Sequence, residues 1–333
     1  YWFASLIASA GMLFLQRTGT LDTRGLKYDI TFFGSTLSRL GLKFEKIAVS
    51  GYKSAGDQFE RTDIAPEARE NIEWLLNDYF SYMKSEIALA RNLSIEKVDM
   101  LVNGAPWTDT EAAKQSFVDK IVSSNELQGI LKDSGRKDNL RYLQLSSLDQ
   151  WLPLPPSPRM NRVVAILPAI GTIIDGRSKS RPLPVPVPVP IISGPLLGDI
   201  TLNSAIKSLS RDSHIKAVVL HVDSPGGSVT ASESIRSSLA ELAKKKTLII
   251  YMGDVAASGG YYISVPGRKI VSQPGTLTGS IGVVGGKVSF EGALEKTGIG
   301  VVQIAKGERA KWSAIKGFTE EEKDVFKRQI DEM

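Results

Sequence analysis

Residues 217–228 read AVVLHVDSPGGS, a mostly apolar run that ends in a polar, glycine-rich turn. Ala217–Val222 lacks the alternation of a half-exposed strand, so it is predicted to be a strand buried in a sheet. The turn leads into a helical pattern over Ser228–Lys244, and a second apolar run follows at Thr247–Met252. A strand, a helix and another buried strand in this order indicate a parallel α/β sheet.

The same alternation continues outward along the chain. Val163–Leu167 predicts a further strand, and Leu202–Leu209 predicts the beginning of a helix. Near the C-terminus, Thr319 and Glu322 have the spacing of a capping box at a helix start. Nearer the N-terminus, an apolar stripe at helical spacing is predicted to be core. The stripe consists of Ile72, Leu75, Leu76, Tyr79, Phe80, Met83 and Ile87.

An internal repeat divides the chain. Gly19–Leu21 recurs as Gly275–Leu277, and further similarities keep an offset of about 256 residues. Chance similarity among strands and turns is the alternative. Between the copies, Trp151–Pro158 reads WLPLPPSP, which is typical of an extended linker. We therefore predict the C-terminal part of a first repeat at residues 1–150, a proline-rich linker at 151–160, and a second repeat, truncated at its end, at 161–333.

Composition excludes several kinds of site. The chain has no cysteine, which excludes disulfides, thiolate catalysis and cysteine-bound zinc. It has only two histidines, His214 and His221, so a metal site built from several histidines is excluded. The net charge is +5, without a basic stripe interleaved with aromatic residues, which argues against nucleic-acid binding. We expect no metal and no cofactor.

The predicted second repeat contains three turns whose residues are suited to catalysis. Gly226 and Gly227 precede a helix, and paired glycines can direct backbone N–H groups at an oxyanion. Ser258 lies in a turn before a predicted helix, where the Gly259 N–H can be a second oxyanion donor. The third turn, Thr276–Gly282, is small and polar and can line the same cleft. Taken singly, these features are also typical of a tight turn and of a helix N-cap.

A serine nucleophile needs a base. We interpret both histidines as structural, because neither lies in a turn with obvious reach to Ser258, and keep His221 as an alternative base. A lysine base must be neutral, so burial or nearby positive charge has to lower its pKa.

Four motifs together resemble the tandem-repeat form of the signal peptide peptidase A (protease IV) family. They are GYKSAGDQFER from Gly51, DSPGGSV from Asp223, GDVAASGGYYIS from Gly253 and TLTGSIGV from Thr276. The resemblance implies an α/β fold of tandem crotonase- and Clp-protease-like repeats, with parallel sheets flanked by helices. It also implies that Ser258 is the nucleophile, Lys53 the general base, Ser280 a lysine-orienting residue and Gly227 an oxyanion donor.

The repeat supports a base from the first copy. The second-repeat position opposite Lys53 is Arg309, and arginine stays protonated in proteins. The predicted dyad therefore joins the two repeats, within one chain or between chains. With a gap of two residues, Lys311 also matches Lys53, and it stays an alternative base.

The resemblance implies a serine endopeptidase that hydrolyses apolar, unstructured peptides such as cleaved signal peptides. It further implies self-association into a ring or bowl, and membrane association facing the bacterial periplasm or the plastid thylakoid. The apolar stretch Tyr1–Leu15 is too short to span a bilayer, so an anchor is expected outside this chain. Two alternatives remain: a crotonase-like acyl-CoA enzyme and a non-catalytic scaffold of repeats.

Overall fold

A computed structural model gives the fold of the chain. It describes Ser5 and residues 12–123, 126–127, 129–130, 163–179, 194–304, 306, 309, 312–313 and 315–333. The predicted proline-rich linker at 151–160 and the alternative base Lys311 lie outside the described residues. Within the described ranges, no helix combines the length and the apolar character needed to cross a membrane.

Strands and helices are numbered in chain order. The strands are β1 (Phe14–Gln16), β2 (Thr20–Leu21), β3 (Lys43–Ala48), β4 (Trp107–Thr108), β5 (Lys120–Val122), β6 (Val163–Ile170), β7 (Thr172–Ile174), β8 (Leu196–Gly198), β9 (Ile215–Ser224), β10 (Thr247–Ala257), β11 (Lys269–Ser272), β12 (Leu277–Gly279) and β13 (Val284–Ser289). The helices are α1 (Gly34–Arg39), α2 (Asp57–Glu60), α3 (Pro66–Arg91), α4 (Ile95–Asn103), α5 (Asp109–Lys114), α6 (Asp199–Arg211), α7 (Val229–Ala243), α8 (Gly259–Ser264), α9 (Glu291–Thr297) and α10 (Glu320–Glu332).

The chain forms two compact units that do not follow its order in sequence. One unit combines Tyr1–Ile30 with Arg69–Pro155, and the other combines Thr31–Ala68 with Pro156–Met333. Residues 31–68 therefore fold with the second half of the chain. The division into two tandem repeats rests on sequence similarity and stays a prediction.

The first unit has a small core between helices α3, α4 and α5. The core consists of Leu21, Ile87, Val98, Leu101, Ala112, Phe117 and Val118. Of the predicted α3 stripe, Ile87 is buried in this core and Met83 packs against it, whereas the other five positions are half-buried. The stripe is thus core at its C-terminal end only.

The second unit contains the predicted parallel sheet. Its strands lie in the order β11, β10, β9, β6, all parallel, and β12 pairs with the end of β10. Helices α6 and α7 supply much of the core that covers one sheet face, in which Leu220, Ile235, Leu239 and Ile250 are fully buried. The α/β class with a parallel sheet flanked by helices is confirmed. Pro168 is tolerated within β6 because β6 is an edge strand.

Strand β10 is longer than the sequence suggested. The apolar run was expected to end at Met252, but the strand continues to Ala257. Its register against β9 shifts between Met252 and Ala256, where Ala256 pairs with Ser224 of β9, and Val255–Ala257 also pair with β12. Pairing with a strand from farther along the chain is invisible to local periodicity. It brings the end of β10, and thus Ser258, next to the Thr276–Gly282 turn.

A second strand pair connects residues 31–68 to this sheet region. Strand β3 pairs antiparallel with β13, with Ala48 opposite Val284 and Lys43 opposite Ser289. Helix α10 packs against the pair, and its predicted capping box between Thr319 and Glu322 is present. In an antiparallel pair, the loop that leaves one strand lies beside the loop that enters the other. The loop after β3 and the loop before β13 are therefore neighbours.

Candidate active site

Ser258 occupies a strained turn between strand β10 and helix α8. Its backbone has φ +51° and ψ −118°, which residues with a side chain rarely adopt. The Ser258 N–H donates to the Gly279 carbonyl at 2.9 Å, and the Tyr262 N–H donates to the Ser258 carbonyl at 2.9 Å. A sharp strand-to-helix turn of this kind presents a serine hydroxyl at the edge of the sheet.

The glycines around Ser258 are required by close backbone contact. A methyl group on Gly226 would lie 2.8 Å from Ser258 Cβ and 2.6 Å from Gly259 N. A methyl group on Gly259 would lie 2.5 Å from Ser232 Oγ. These distances are shorter than the contacts that a Cβ makes in proteins. The two turns therefore touch only because Gly226 and Gly259 have no Cβ.

Two backbone N–H groups beside Ser258 are open. The Gly226 N–H donates to the buried Ser224 Oγ at 3.2 Å, so it is not available to a substrate. The Gly227 and Gly259 N–H groups have no acceptor within the part of the chain that the structure describes. They are close, since a methyl group on Gly259 would lie 3.3 Å from Gly227 N. Of the three predicted oxyanion donors, Gly227 and Gly259 have the open amides, and Gly226 shapes the turn.

The glycine turn is held on its other side by strand β7. The Ile173 N–H donates to the Gly226 carbonyl at 2.8 Å, and the Ser228 N–H donates to the Ile173 carbonyl at 2.9 Å. The Asp175 carboxylate accepts from Ser228 Oγ at 2.6 Å and from Thr230 Oγ1 at 2.7 Å, and these hydrogen bonds lower the pKa of Asp175. Sequence reasoning missed Asp175, because the hydroxyls that it binds lie more than fifty residues away.

Lys53 reaches Ser258 from the loop between β3 and α2. Its Nζ lies 3.2 Å from Ser258 Oγ and 3.0 Å from Ser280 Oγ, and it also donates to the Ser280 carbonyl. The Lys53 side chain is buried, with the residue 8% exposed, and burial lowers the pKa of its amine. A lower pKa increases the fraction of neutral amine near physiological pH, and only the neutral amine can accept a proton from Ser258.

Ser280 approaches Lys53 because the chain turns sharply after β12. Ser280 has φ +50° and Gly279 has φ +86°, so two successive residues adopt left-handed backbone conformations. This turn directs both the Ser280 carbonyl and the Ser280 hydroxyl at Lys53 Nζ. Strain at a residue other than glycine persists only where surrounding structure requires it. Here the β12 pairing and the Ser258–Gly279 hydrogen bond hold the turn.

The β3–β13 pair explains how residues 205 positions apart meet. Lys53 follows the end of β3 by five residues, and Ser280 precedes the start of β13 by four. Where the two strands separate, the Val49 N–H donates to the Val283 carbonyl at 3.4 Å. All three polar side chains of the site thus belong to one chain and to one compact unit.

The other candidate bases lie in different surroundings. The His221 ring packs against Tyr251 with centroids 5.2 Å apart, and the exposed His214 ring lies 3.1 Å from an Asp212 oxygen. Arg309, which the predicted repeat aligns with Lys53 and which is excluded as a base, lies 3.7 Å from a Glu321 oxygen. Of the described candidates, Lys53 is the one bonded to Ser258.

Family models match most of the chain. The model described as peptidase family S49 matches residues 1–136 and 240–333, and the model described as Clp protease matches residues 200–274. The matched regions include the turns that carry Lys53, Ser258 and Ser280.

Curated relatives match nearly the whole of this chain. The chain is 31% identical to "Protease 4" of Salmonella typhi over 99% of this chain and 52% of that protein. It is 28% identical to "Protease 4" of Haemophilus influenzae, over 99% and 53%. It is 30% identical to "Serine protease SPPA, chloroplastic" of Arabidopsis thaliana, over 91% and 44%. The chain thus spans about half the length of these relatives. The agreement of the family model with these matches shows that this chain belongs to peptidase family S49.

Proposed function

We propose that this chain carries the catalytic centre of a serine endopeptidase in which Ser258 is the nucleophile and Lys53 the general base. The observation that carries the proposal is the 3.2 Å distance between Lys53 Nζ and Ser258 Oγ, at a buried amine whose pKa is lowered. A base within hydrogen-bond reach of a serine hydroxyl is the arrangement that activates it. The peptidase names of the family and of the relatives support the same reaction class.

The reaction is acyl transfer to serine followed by hydrolysis. Neutral Lys53 accepts the proton of Ser258 as Oγ attacks the peptide carbonyl carbon, and the carbonyl oxygen becomes an oxyanion. The open N–H groups of Gly227 and Gly259 stabilise this negative charge. Lys53 then returns the proton to the departing amine. Water attacks the acyl-enzyme with Lys53 again as base, which releases the acid product and restores Ser258.

Ser280 orients the base during both steps. An ammonium has three N–H donors, and the Ser258 hydroxyl, the Ser280 hydroxyl and the Ser280 carbonyl accept them. After Lys53 loses a proton, two donors suffice for Ser280, and the lone pair faces Ser258. Ser280 thus orients Lys53 so that the lone pair of the neutral Nζ points at Ser258.

The proposed substrates are unstructured peptides rich in apolar side chains, such as cleaved signal peptides. Exposed apolar side chains on the loops that carry Lys53 and Ser280 support this class. Val49 and Tyr52 flank the base, and Ile281 follows Ser280 with 76% of its surface exposed.

We also propose that the chain self-associates into a ring or bowl. At the repeat offset, Ile299–Ile304 correspond to strand β3, which pairs with β13. In the described structure, Val302 and Ile304 are 88% and 95% exposed. Apolar side chains in a counterpart of a pairing strand favour addition to a second copy, and head-to-tail contacts close into rings. Light scattering on the wild type and on Val302→Glu tests this, since the substitution should reduce the oligomer size.

Membrane association, facing the periplasm or the thylakoid, is part of the same proposal. The name of the Arabidopsis thaliana relative, "Serine protease SPPA, chloroplastic", supports only the plastid location, and the membrane association follows from the family resemblance. Cell fractionation of the full-length protein tests it, and recovery in the washed membrane fraction is the expected result.

The test of the catalytic proposal is hydrolysis of an apolar fluorogenic peptide amide by the full-length protein. Ser258→Ala and Lys53→Met should each abolish turnover while circular dichroism stays unchanged. Lys43→Met is the matched control, because Lys43 is an exposed lysine on β3 and should leave turnover unchanged. Activity in Lys53→Met with loss in Lys311→Met would move the base to Lys311. An inert wild type that turns over acyl-CoA thioesters would favour the crotonase-like alternative, and inertness toward both substrates would favour the scaffold.

A further inference from the structure

A buried ion pair lies beneath the loop that carries Lys53. Lys46 extends from strand β3, and its Nζ binds the Asp57 carboxylate at the start of helix α2. The two side chains are only 14% and 8% exposed. Burying a charged pair is costly, and replacement by apolar residues is often neutral or stabilising. Stability alone is therefore a weak reason for this pair.

The pair is bonded directly to the backbone of the proposed base. Lys46 Nζ donates to the Lys53 carbonyl at 3.4 Å, in addition to its bond with Asp57. The Asp57 N–H donates to the Ser54 carbonyl at 3.0 Å, which closes the same loop from its other end. Both bonds hold the loop just after the Lys53 side chain departs, and the Lys53 N–H, which donates to the Ser50 carbonyl at 3.2 Å, holds it just before that point.

Packing beneath the loop leaves the pair little freedom to move. Phe44 lies two residues before Lys46 on β3 and contacts Phe59 of α2, with ring centroids 5.8 Å apart. Gly56 has φ +94°, and a methyl group there would lie 3.1 Å from the Phe44 ring and 3.7 Å from the Lys46 side chain. The cation and the anion are therefore held in place by neighbours that do not contact Ser258.

We propose that Lys46 and Asp57 are positioning residues for Lys53, which hold its backbone toward Ser258 and keep the local electrostatic field near neutral. This inference rests on the proposed role of Lys53 as the base. Lys46 and Asp57 are buried and do not touch the substrate. They act only through the Lys53 loop.

The electrostatic part of this role has a definite sign. A lone cation near Lys53 would disfavour its ammonium form, and a lone anion would favour it. The paired charges largely cancel, which leaves burial as the cause that lowers the pKa of Lys53. Removing Lys46 alone leaves the Asp57 carboxylate uncompensated, so the pKa of Lys53 should rise. Removing both charges should restore it.

Other charged groups near the loop do not change in this comparison. Glu60 accepts the Lys46 backbone N–H at 3.1 Å, and the Glu67 carboxylate lies beside Gly51 on the base loop. On strand β9, the Asp223 carboxylate accepts a backbone N–H of β10. These groups are the same in the wild type and in every variant. Their effect on the pKa of Lys53 therefore drops out when a variant is compared with the wild type.

The experiment is the pH dependence of kcat and kcat/KM for Lys46→Met, Asp57→Asn and the double variant, with an apolar peptide amide. Lys46→Met should move the acid limb of kcat/KM up by about one pH unit, which lowers the rate about tenfold on that limb. Asp57→Asn should leave the limb in place or move it down. The double variant should return the limb to the wild-type position with kcat still reduced and KM nearly unchanged, because the anchor on the Lys53 carbonyl is missing.

Controls separate this role from general destabilisation. Lys43→Met and Asp63→Asn remove exposed charges from the same segment and should change neither limb nor kcat. An acid limb that stays in place or moves down in Lys46→Met overturns the proposal. Should Lys46→Met fail to fold, Lys46→Arg decides, because it keeps the charge and should lower kcat without moving the limb. A limb shifted by more than about half a unit in Lys46→Arg overturns the proposal equally. Failure of the catalytic proposal is recognised separately, by activity in Lys53→Met.

Discussion

Substitution of Gly226 by alanine tests the close contact between the two turns of the site. Gly226 has φ +96°, and holding a residue with a side chain in such a conformation costs about 1–3 kcal/mol. The new methyl group would also lie 2.8 Å from Ser258 Cβ and 2.6 Å from Gly259 N. Overpacking of this kind costs a further amount of about 1–3 kcal/mol. Gly226→Ala should therefore destabilise the folded chain by about 2–6 kcal/mol.

The same substitution should also lower turnover in the chains that stay folded. To relieve the overlap, either Ser258 or the Gly259 N–H has to move, and loss of one oxyanion donor lowers kcat by about 100- to 1,000-fold. Gly226→Ala should thus lose at least about two orders of magnitude in kcat even at temperatures where it remains folded.

Gly298→Ala is the matched control. Gly298 has φ +71°, and a methyl group there would meet no atom within 4 Å, so it isolates the backbone cost of about 1–2 kcal/mol. The assay measures thermal unfolding by circular dichroism and turnover of a peptide amide for both variants. If Gly226→Ala matched Gly298→Ala in both measurements, the argument from contact between the turns would be refuted.

Four further predictions concern the proposed base and the proposed oxyanion turn. Activity should rise with pH as Lys53 loses its proton, with the midpoint of kcat/KM below the ordinary lysine value because burial lowers this pKa; a midpoint at or above that value contradicts the assignment. Ser280→Ala should lower kcat by about tenfold or more with KM nearly unchanged, because Lys53 Nζ loses a hydroxyl partner at 3.0 Å; single-turnover kinetics measures this, and an unchanged rate would exclude the orienting role. Asp175→Asn should lower kcat more than it raises KM, because it loosens the start of the helix behind Gly227. Steady-state kinetics at pH 8 measures both constants, and a larger change in KM than in kcat would contradict this prediction. The lowered pKa of Asp175 also stabilises the fold at pH values above the pKa of an unfolded aspartate. The wild type should therefore lose this part of its stability as pH falls through the folded pKa, whereas Asp175→Asn, which has no carboxyl at this position, should show no such loss.

Local pattern was sufficient for the class of the sheet and for the existence of its strands β6, β9 and β10, but not for the end of β10. Ala217–Val222 lies within a strand as predicted, although only Val218, Leu220 and Val222 are fully buried and the alternate residues are half-buried. Parallel strands end at a common edge of their sheet. The turns that follow β9 and β10 had to lie close together for that reason, which made Gly227 and Ser258 candidates for one site. Sequence also excluded Arg309 as a base, because guanidinium does not lose its proton in proteins.

Pairing between distant segments was beyond local pattern. The extension of β10 to Ala257 depends on β12, and the approach of Lys53 depends on β3 and β13, which no periodicity within either segment encodes. Asp175 escaped notice for the same reason, because the hydroxyls that it binds belong to another element.

The sequence by itself determined the fold class, the family motifs and the short list of candidate site residues. Tertiary structure alone decided which of those groups are available: Ser224 occupies the Gly226 amide, whereas the amides of Gly227 and Gly259 stay open. It also decided the surroundings of the lysine, since burial and the Lys46–Asp57 pair depend on side chains that meet only after the chain has folded. The physical reason is that residue type sets what a group can do, while its pKa and its free hydrogen-bond donors depend on neighbours that sequence distance does not predict.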